Sequence, residues 1–311
     1  MLDPLSSTKR LSTNNSGRPT VGVVVGSGGI KALAAFSLFE FLAESNIPVD
    51  LLVGCSGGAM VCSLIGSGRT PTEGREILLE ALFHGKLFTK VDLRSVSGIA
   101  GVWGSNFNHT TGLLKPQRMK SFLRRTLGET RLEDLRPKTV VQTTNVETGE
   151  GVVLSRGLTR DAVYASTAFF PMLPPIQLEG RWLGDGVYSS PLPVAEAVRR
   201  HVDVIIAVDF FERSTSSPRG FGNTLRHHID NIVRSLVYTQ MHQAIEAHHY
   251  EIIPICIEFD HSINLRDAHE APCILEAGER SVAENKETIL SAVRNFTAAS
   301  DFVLNTALDF R

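Results

Sequence analysis

The strongest constraint on the fold of this chain is a series of short, β-branched apolar runs separated by helical patterns. The runs are TVGVVV at 20–25, DLLV at 50–53, TVVQT at 139–143 and DVIIAVD at 203–209. Their shortness and near-continuous hydrophobicity are typical of strands buried on both faces. Helical patterns occupy about 30–45, 72–84, 116–127, 191–200, 222–248 and 276–296. This alternation predicts an α/β fold with a mainly parallel central sheet and helices on both faces, a three-layer α/β/α arrangement.

The composition is that of one soluble globular domain. Of 311 residues, 42% are hydrophobic and 21% are charged, and a single large core is the economical reading at this length. Residues 1–19 are polar and are predicted to form a flexible arm. The domain is expected over 20–311, with its core at 20–210 and a C-terminal helical and strand part at 211–311. In the long helix at 222–248 the apolar side chains are predicted to face the core, with a contact surface as the alternative; they are Leu225, Ile229, Ile232, Val233 and Leu236.

Charge and cysteine usage narrow the range of partners and compartments. The formal net charge of −2 leaves no global basic field, so nucleic acid is not an expected partner. The four cysteines show no CxxC pairing, which favours a reducing compartment over a disulfide framework. Without an export signal or an apolar run near the ~20 residues of a spanning helix, the expectation is a cytoplasmic protein whose membrane contact is peripheral. Nothing in the sequence indicates an oligomeric state.

A G-x-S-x-G pattern, Gly54-Cys55-Ser56-Gly57-Gly58, lies between the strand DLLV and the helical run AMVCSLI. By itself the pattern is weak, since it arises by chance in roughly one chain in ten of this size. The strand–turn–helix setting strengthens it, because a tight elbow lifts its serine out of the sheet and requires small neighbours. Ser56 is the predicted nucleophile, and Cys55 would point elsewhere. The alternative is a structural glycine turn in which Ser56 caps the helix.

A second glycine-rich loop, Gly26-Ser27-Gly28-Gly29-Ile30-Lys31, also joins a strand to a helix. A dinucleotide site would have a third glycine where Lys31 stands, and no Walker pattern fits. Successive backbone N–H groups could instead form an oxyanion hole. Its predicted donors are Gly28, Gly29 and Gly57, although structural turn glycines remain an alternative.

The third element is Asp185-Gly186, after the short apolar pair Trp182-Leu183. A loop aspartate after a strand is well placed to act as a base. On its own the dipeptide is weak evidence, because Asp-Gly is also the commonest turn dipeptide.

In this order, the three elements resemble the patatin-like phospholipase family, and the resemblance extends over roughly 20–290. Supporting matches are Thr148-Gly149-Glu150 in a predicted hairpin, and Ala165-Ser166 leading to Pro171 and Pro174-Pro175. The chain departs from the family pattern at four positions, where glycine or arginine is more usual: Ser27, Lys31, Ala32 and Val187.

The resemblance implies a lipid acyl hydrolase with a Ser56–Asp185 dyad and oxyanion donors around Gly28 and Gly29. It also implies a phospholipid or other lipid ester as substrate, with no cofactor and no metal. Burial of Asp185 would raise its pKa and make it a stronger base. The residues expected to flank the motifs are Gly26, Lys31, Gly54, Gly58 and Gly186.

Two other functions fit parts of the sequence. An α/β-hydrolase would use Ser56, an aspartate and a downstream histidine such as His261 or His269, but that fold needs several strands before its elbow. A catalytically silent lipid-binding protein would keep the fold with an altered oxyanion loop. Histidines show no HExxH pattern, so metal binding is not expected. The segment 87–109 is read either as an apolar-faced flap or as an ordinary loop on the core.

Overall fold

A computed structural model describes residues 18–83, 91–92, 108–213, 219–248, 250–265 and 267–308. The predicted arm lies outside this range except for residues 18 and 19, and Arg18 is tied to the domain by a 2.7 Å ion pair with Asp50. The segment 87–109, which the sequence allows as either a flap or an ordinary loop, lies outside the described residues apart from 91, 92, 108 and 109.

The described residues form an eight-stranded sheet in the order β5-β6-β3-β2-β1-β7-β8, with β4 also paired to β3. Strands β3, β2, β1, β7 and β8 are parallel, whereas β4, β5 and β6 join antiparallel. The predicted mainly parallel sheet is therefore confirmed. The strands are β1 Val21–Val25, β2 Leu51–Cys55, β3 Lys138–Asn145, β4 Gly151–Leu154, β5 Ile176–Leu178, β6 Arg181–Asp185, β7 Val204–Glu212 and β8 Glu251–Phe259.

Helices cover both faces of the sheet, as predicted. Because neighbouring strand residues point to opposite faces, Val23 and Val25 join the larger core, while Val24 joins a smaller one. The smaller core is closed by α6 and α7, and the larger by most of the others. The helices are α1 Phe36–Glu44, α2 Gly57–Gly66, α3 Pro71–Phe83, α4 Gln117–Leu127, α5 Thr159–Thr167, α6 Val194–Arg199, α7 Phe221–Ala247 and α8 Ala271–Leu308. In the described part of the chain, no helix combines the length and apolar character needed to cross a membrane.

The pairing of β3 determines where the ends of two other strands meet. Val141 and Gln142 pair with both β2 and β4, and Thr143 and Thr144 pair with both β4 and β6. Since a strand has two edges, β4 occupies one edge of β3, and β2 and β6 share the other. They run in opposite directions along it, so their carboxyl ends face each other.

The prediction that the apolar residues of 222–248 face the core is wrong for part of that set. Leu225 is 43% exposed and Ile232 is 67% exposed, while Ile229, Val233 and Leu236 are only partly buried. Helix α7 packs on the smaller core through a different stripe, at i, i+4 and i+7, formed by Val237, Met241 and Ala244. This stripe lies roughly 100° around the helix from the exposed one at 3.6 residues per turn.

The predicted helix at 30–45 is divided into two parts. Residues Gly29–Ala35 form a 3₁₀ helix, and the α-helix α1 begins at Phe36. The sequence reading did not identify α5 or β8. Strand β8 contains Pro254 and alternates between buried and exposed positions, unlike the continuous apolar runs of the central strands.

Candidate active site

Ser56 stands alone between the end of β2 at Cys55 and the start of α2 at Gly57. Its φ is 53° and its ψ −118°, a strained combination for a residue with a side chain. The flanking glycines permit the turn: a Cβ on Gly58 would lie 2.2 Å from the Val25 oxygen, and one on Gly54 would lie 2.5 Å from the Ala59 Cα. The elbow therefore has the strand–turn–helix form that the sequence predicts.

Ser56 and Asp185 are in direct contact. The Ser56 hydroxyl donates to Asp185 Oδ2 at 2.8 Å, and the Val187 N–H donates to Oδ1 at 2.9 Å. Asp185 is 1% exposed. Burial raises its pKa to about 7, against the opposing effect of these two hydrogen bonds. A carboxyl with a pKa near neutrality can both take and release a proton at physiological pH.

The sheet brings these two residues together. Cys55 at the end of β2 pairs with Gln142, and Asp185 at the end of β6 pairs with the next residue, Thr143. Gly186 is needed for this junction, since a Cβ there would lie 2.6 Å from the Gln142 oxygen and 2.9 Å from the Cys55 Sγ.

Ser166 supports the elbow from helix α5. Its hydroxyl accepts the Ser56 N–H at 2.8 Å and donates to the Gln142 carbonyl at 2.6 Å. Ser166 thus links the Ser56 backbone to β3. In the sequence, Ala165-Ser166 is a supporting match to the family pattern, but no pattern predicts a structural role for the Ser166 hydroxyl.

We expect Ser166→Ala to lower the free energy of unfolding by about 1–3 kcal/mol, because the Ser56 N–H and the Gln142 carbonyl lose a buried partner. Urea unfolding measures the change. Ser63→Ala is the matched control: Ser63 is also buried, and its hydroxyl has no hydrogen-bond partner, so this change should be neutral or stabilising. Equal losses in both variants would contradict a specific role for the Ser166 hydrogen bonds.

The glycine-rich loop lies against the elbow. A Cβ on Gly57 would be 2.3 Å from the Gly29 oxygen and 3.0 Å from the Gly29 nitrogen. The N–H groups of Gly26 and Ser27 bond to the carbonyls of Val208 and Pro191, respectively. Among the described residues no protein acceptor is found for the N–H groups of Gly28, Gly29 or Gly57. The three amides predicted as oxyanion donors are therefore not used by the described part of the protein itself.

The alternative nucleophile and the alternative bases are not assembled into a site. Cys55 is buried, and desolvation followed by the charge of Asp185 raises the pKa of its thiol well above the ordinary value, which keeps it neutral. His261 and His269 are exposed and pair with Glu270 at 3.1 and 3.4 Å, with no hydrogen bond to the dyad. In the described ranges no three His, Cys, Asp or Glu side chains form a group that could hold a metal ion.

Curated relatives of this chain are much longer proteins. It is 31% identical over 218 residues to lysophospholipase nte1 of Emericella nidulans, a match covering 70% of this chain and 13% of that one. It is 28% identical over 208 residues to lysophospholipase NTE1 of Scheffersomyces stipitis, covering 66% and 12%. The match thus spans only a small fraction of these relatives.

Solved structures share the fold at low identity. VipD from Legionella pneumophila has a TM-score of 0.51 at 13% identity, covering 89% of this chain and 69% of that one. Human GIVD cytosolic phospholipase A2, in complex with methyl gamma-linolenyl fluorophosphonate, has a TM-score of 0.51 at 14% identity, covering 92% and 60%.

The sequence model of one family matches more than half of the chain. That model, patatin-like phospholipase, covers residues 23–198. This range includes the glycine-rich loop, the Ser56 elbow and Asp185 in a single continuous match. This chain belongs to the patatin-like phospholipase family.

Proposed function

We propose that this chain hydrolyses acyl ester bonds of phospholipids or lysophospholipids, with Ser56 as nucleophile and Asp185 as base. The observation that carries the proposal is the 2.8 Å hydrogen bond from the Ser56 hydroxyl to a buried carboxyl. No imidazole stands between them, so proton transfer is direct.

In the proposed first half of the reaction, Ser56 Oγ attacks the ester carbonyl carbon and Asp185 takes the hydroxyl proton. The C–O bond to the alcohol then breaks, and Asp185 passes its proton to the departing oxygen. In the second half, a water attacks the acyl-enzyme while Asp185 takes a water proton, and the proton returns to Ser56 as the fatty acid leaves. The unoccupied amides of Gly28, Gly29 and Gly57 are the proposed donors to the tetrahedral oxyanion.

The lipid class of the substrate is supported by the family and by two relatives that are named lysophospholipases. Access to such substrates would come through peripheral contact with a membrane surface, in the cytoplasm. Product analysis distinguishes a catalytically silent lipid-binding protein from an enzyme. An α/β-hydrolase triad is distinguished by further variants: with a histidine base, Asp185→Asn would stay active while His261→Ala or His269→Ala would be inactive.

The test is product analysis on vesicles of phosphatidylcholine and, separately, on lysophosphatidylcholine. Fatty acid and deacylated lipid are quantified by mass spectrometry for the wild type and Ser56→Ala, with Ser63→Ala as a buried-serine control. Products from the wild type and Ser63→Ala but not from Ser56→Ala support the proposal. A folded wild type whose products do not exceed those of Ser56→Ala would establish the silent lipid-binding reading.

A further inference from the structure

A largely buried carboxylate outside the dyad connects the segments that surround the glycine-rich loop. Glu212, the last residue of β7, accepts four donors from three different parts of the chain. Lys31 Nζ and the Ile263 N–H donate to Oε1 at 2.6 and 3.1 Å; Arg226 Nη2 and the Ser262 hydroxyl donate to Oε2 at 2.8 and 2.9 Å. The side chains of Lys31 and Glu212 are only 16% and 13% exposed.

Two residues near the ends of these hydrogen bonds contact the glycine pair Gly28-Gly29. Phe210, two residues before Glu212, lies against Gly28, where a Cβ would be 2.4 Å from the Phe210 ring. Leu265, two residues after Ile263, lies against Gly29, where a Cβ would be 2.6 Å from Leu265 Cδ2. Lys31 is itself in the 3₁₀ helix that begins at Gly29, and its N–H bonds to the Gly28 carbonyl at 3.1 Å.

The neighbouring charges favour the ionised form of Glu212. Burial acts to raise its pKa, but Lys31, Arg226 and the Ile263 N–H outweigh it, so the pKa is lowered below its ordinary value. Other charged groups here include Asp230, 3.3 Å from Arg226 Nε, and Arg234, whose guanidinium bonds the Glu212 carbonyl. Asp209, three residues before Glu212 on β7, also interacts electrostatically with Lys31 and Arg234. A charge-assisted bond such as Lys31–Glu212 is shorter and stronger than a neutral one.

We propose that Glu212 and Lys31 form a positioning pair that sets the Gly28 and Gly29 amides for the oxyanion of the Ser56 reaction. This inference rests on the proposed function of Ser56. The pair does not touch the reacting atoms; it holds the backbone that does. Since preorganised donors stabilise charge that develops only in the transition state, loss of the pair should lower kcat and leave KM nearly unchanged.

The experiment uses a soluble nitrophenyl ester with Lys31→Met, Lys31→Arg and Glu212→Gln. We expect kcat to fall about 10- to 100-fold in Lys31→Met and Glu212→Gln with KM within about twofold. Lys31→Arg, which can remake the ion pair, should recover most of the loss. If Glu212→Gln does not fold because the largely buried Lys31 loses its carboxylate partner, Lys31→Met decides, because Glu212 keeps Arg226 in that variant.

Glu196→Gln is the matched control. Glu196 is also buried and also holds two cations, Arg199 and Arg200, at 2.5 and 2.7 Å, but both lie at the end of its own helix α6. The Glu196→Gln variant should have a lower thermal stability than the wild type and an unchanged kcat. The inference is overturned if folded Lys31→Met keeps wild-type kcat, or if Glu196→Gln loses kcat as much as the two pair variants.

Labelling by a fluorophosphonate separates this inference from the function on which it rests. Mass spectrometry of the labelled wild type should locate the adduct on Ser56. An unlabelled wild type overturns the proposed nucleophile and the pair's role with it. A labelled, active wild type with fully active pair variants overturns the positioning role alone.

Discussion

Asp185→Asn is expected to lower kcat/KM for ester hydrolysis by about a thousandfold or more, because a general base in this position contributes on that scale. Asparagine has the same shape and still accepts the Val187 N–H, which Asp185 does at 2.9 Å. It cannot take the Ser56 proton. Steady-state kinetics on a short-chain ester measures the loss, and circular dichroism checks that the variant is folded.

Asp203→Asn is a close control for this change. Asp203 is buried and likewise accepts one hydroxyl and one backbone N–H, both from Thr20, at 2.7 and 2.8 Å. It precedes β7 and so lies at the opposite end of the parallel strands from Ser56. Its replacement should cost stability and leave kcat/KM near the wild-type value. Retention of more than about a tenth of the activity by Asp185→Asn would mean that the base lies elsewhere.

The elements that local sequence determines were predictable. Continuous β-branched runs identified β1, β2, β3 and β7, because strands buried on both faces need no polar side. The elbow followed from glycines flanking a serine, and the structure shows why: the backbone of β1 lies 2.2 Å from where a Gly58 Cβ would be.

The contacts that create the site depend on pairings between distant segments, so local patterns do not contain them. Ser56 meets Asp185 across 129 positions because β2 and β6 share one edge of β3. The resemblance supplied Asp185, whereas the residue pattern alone reads as a turn. No sequence pattern indicated a role for Glu212, since an isolated acidic residue at the end of a strand is usually exposed to solvent.

Helix α7 shows the limit of periodicity. Leu225, Ile229, Ile232 and Leu236 form a regular apolar stripe, yet the helix contacts the smaller core through Val237, Met241 and Ala244. A helical pattern shows that residues share a face. Which face is covered depends on how the helix is rotated about its own axis when it packs, and only the structure shows that.

As pH rises, ionisation of Asp185 should lower the stability of the folded protein and increase its activity. Its pKa is about 7 in the folded protein against an ordinary value of 3.8, so the folded state holds the proton more tightly. The stability that this provides is complete below about pH 4 and is lost as pH rises through 7, a total of about 4 kcal/mol. The proposed reaction needs the carboxylate, so activity should increase over the upper part of the same range.

The difference in the free energy of unfolding between the wild type and Asp185→Asn isolates this effect, because the contributions of the other titrating groups are the same in both proteins and cancel. Urea unfolding at several pH values should show Asp185→Asn gaining on the wild type by about 4 kcal/mol between pH 4 and pH 8. A difference between Asp185→Asn and the wild type that stays constant with pH would contradict a raised pKa for Asp185. It would also remove the reason for expecting this carboxyl to exchange protons with Ser56 near neutral pH.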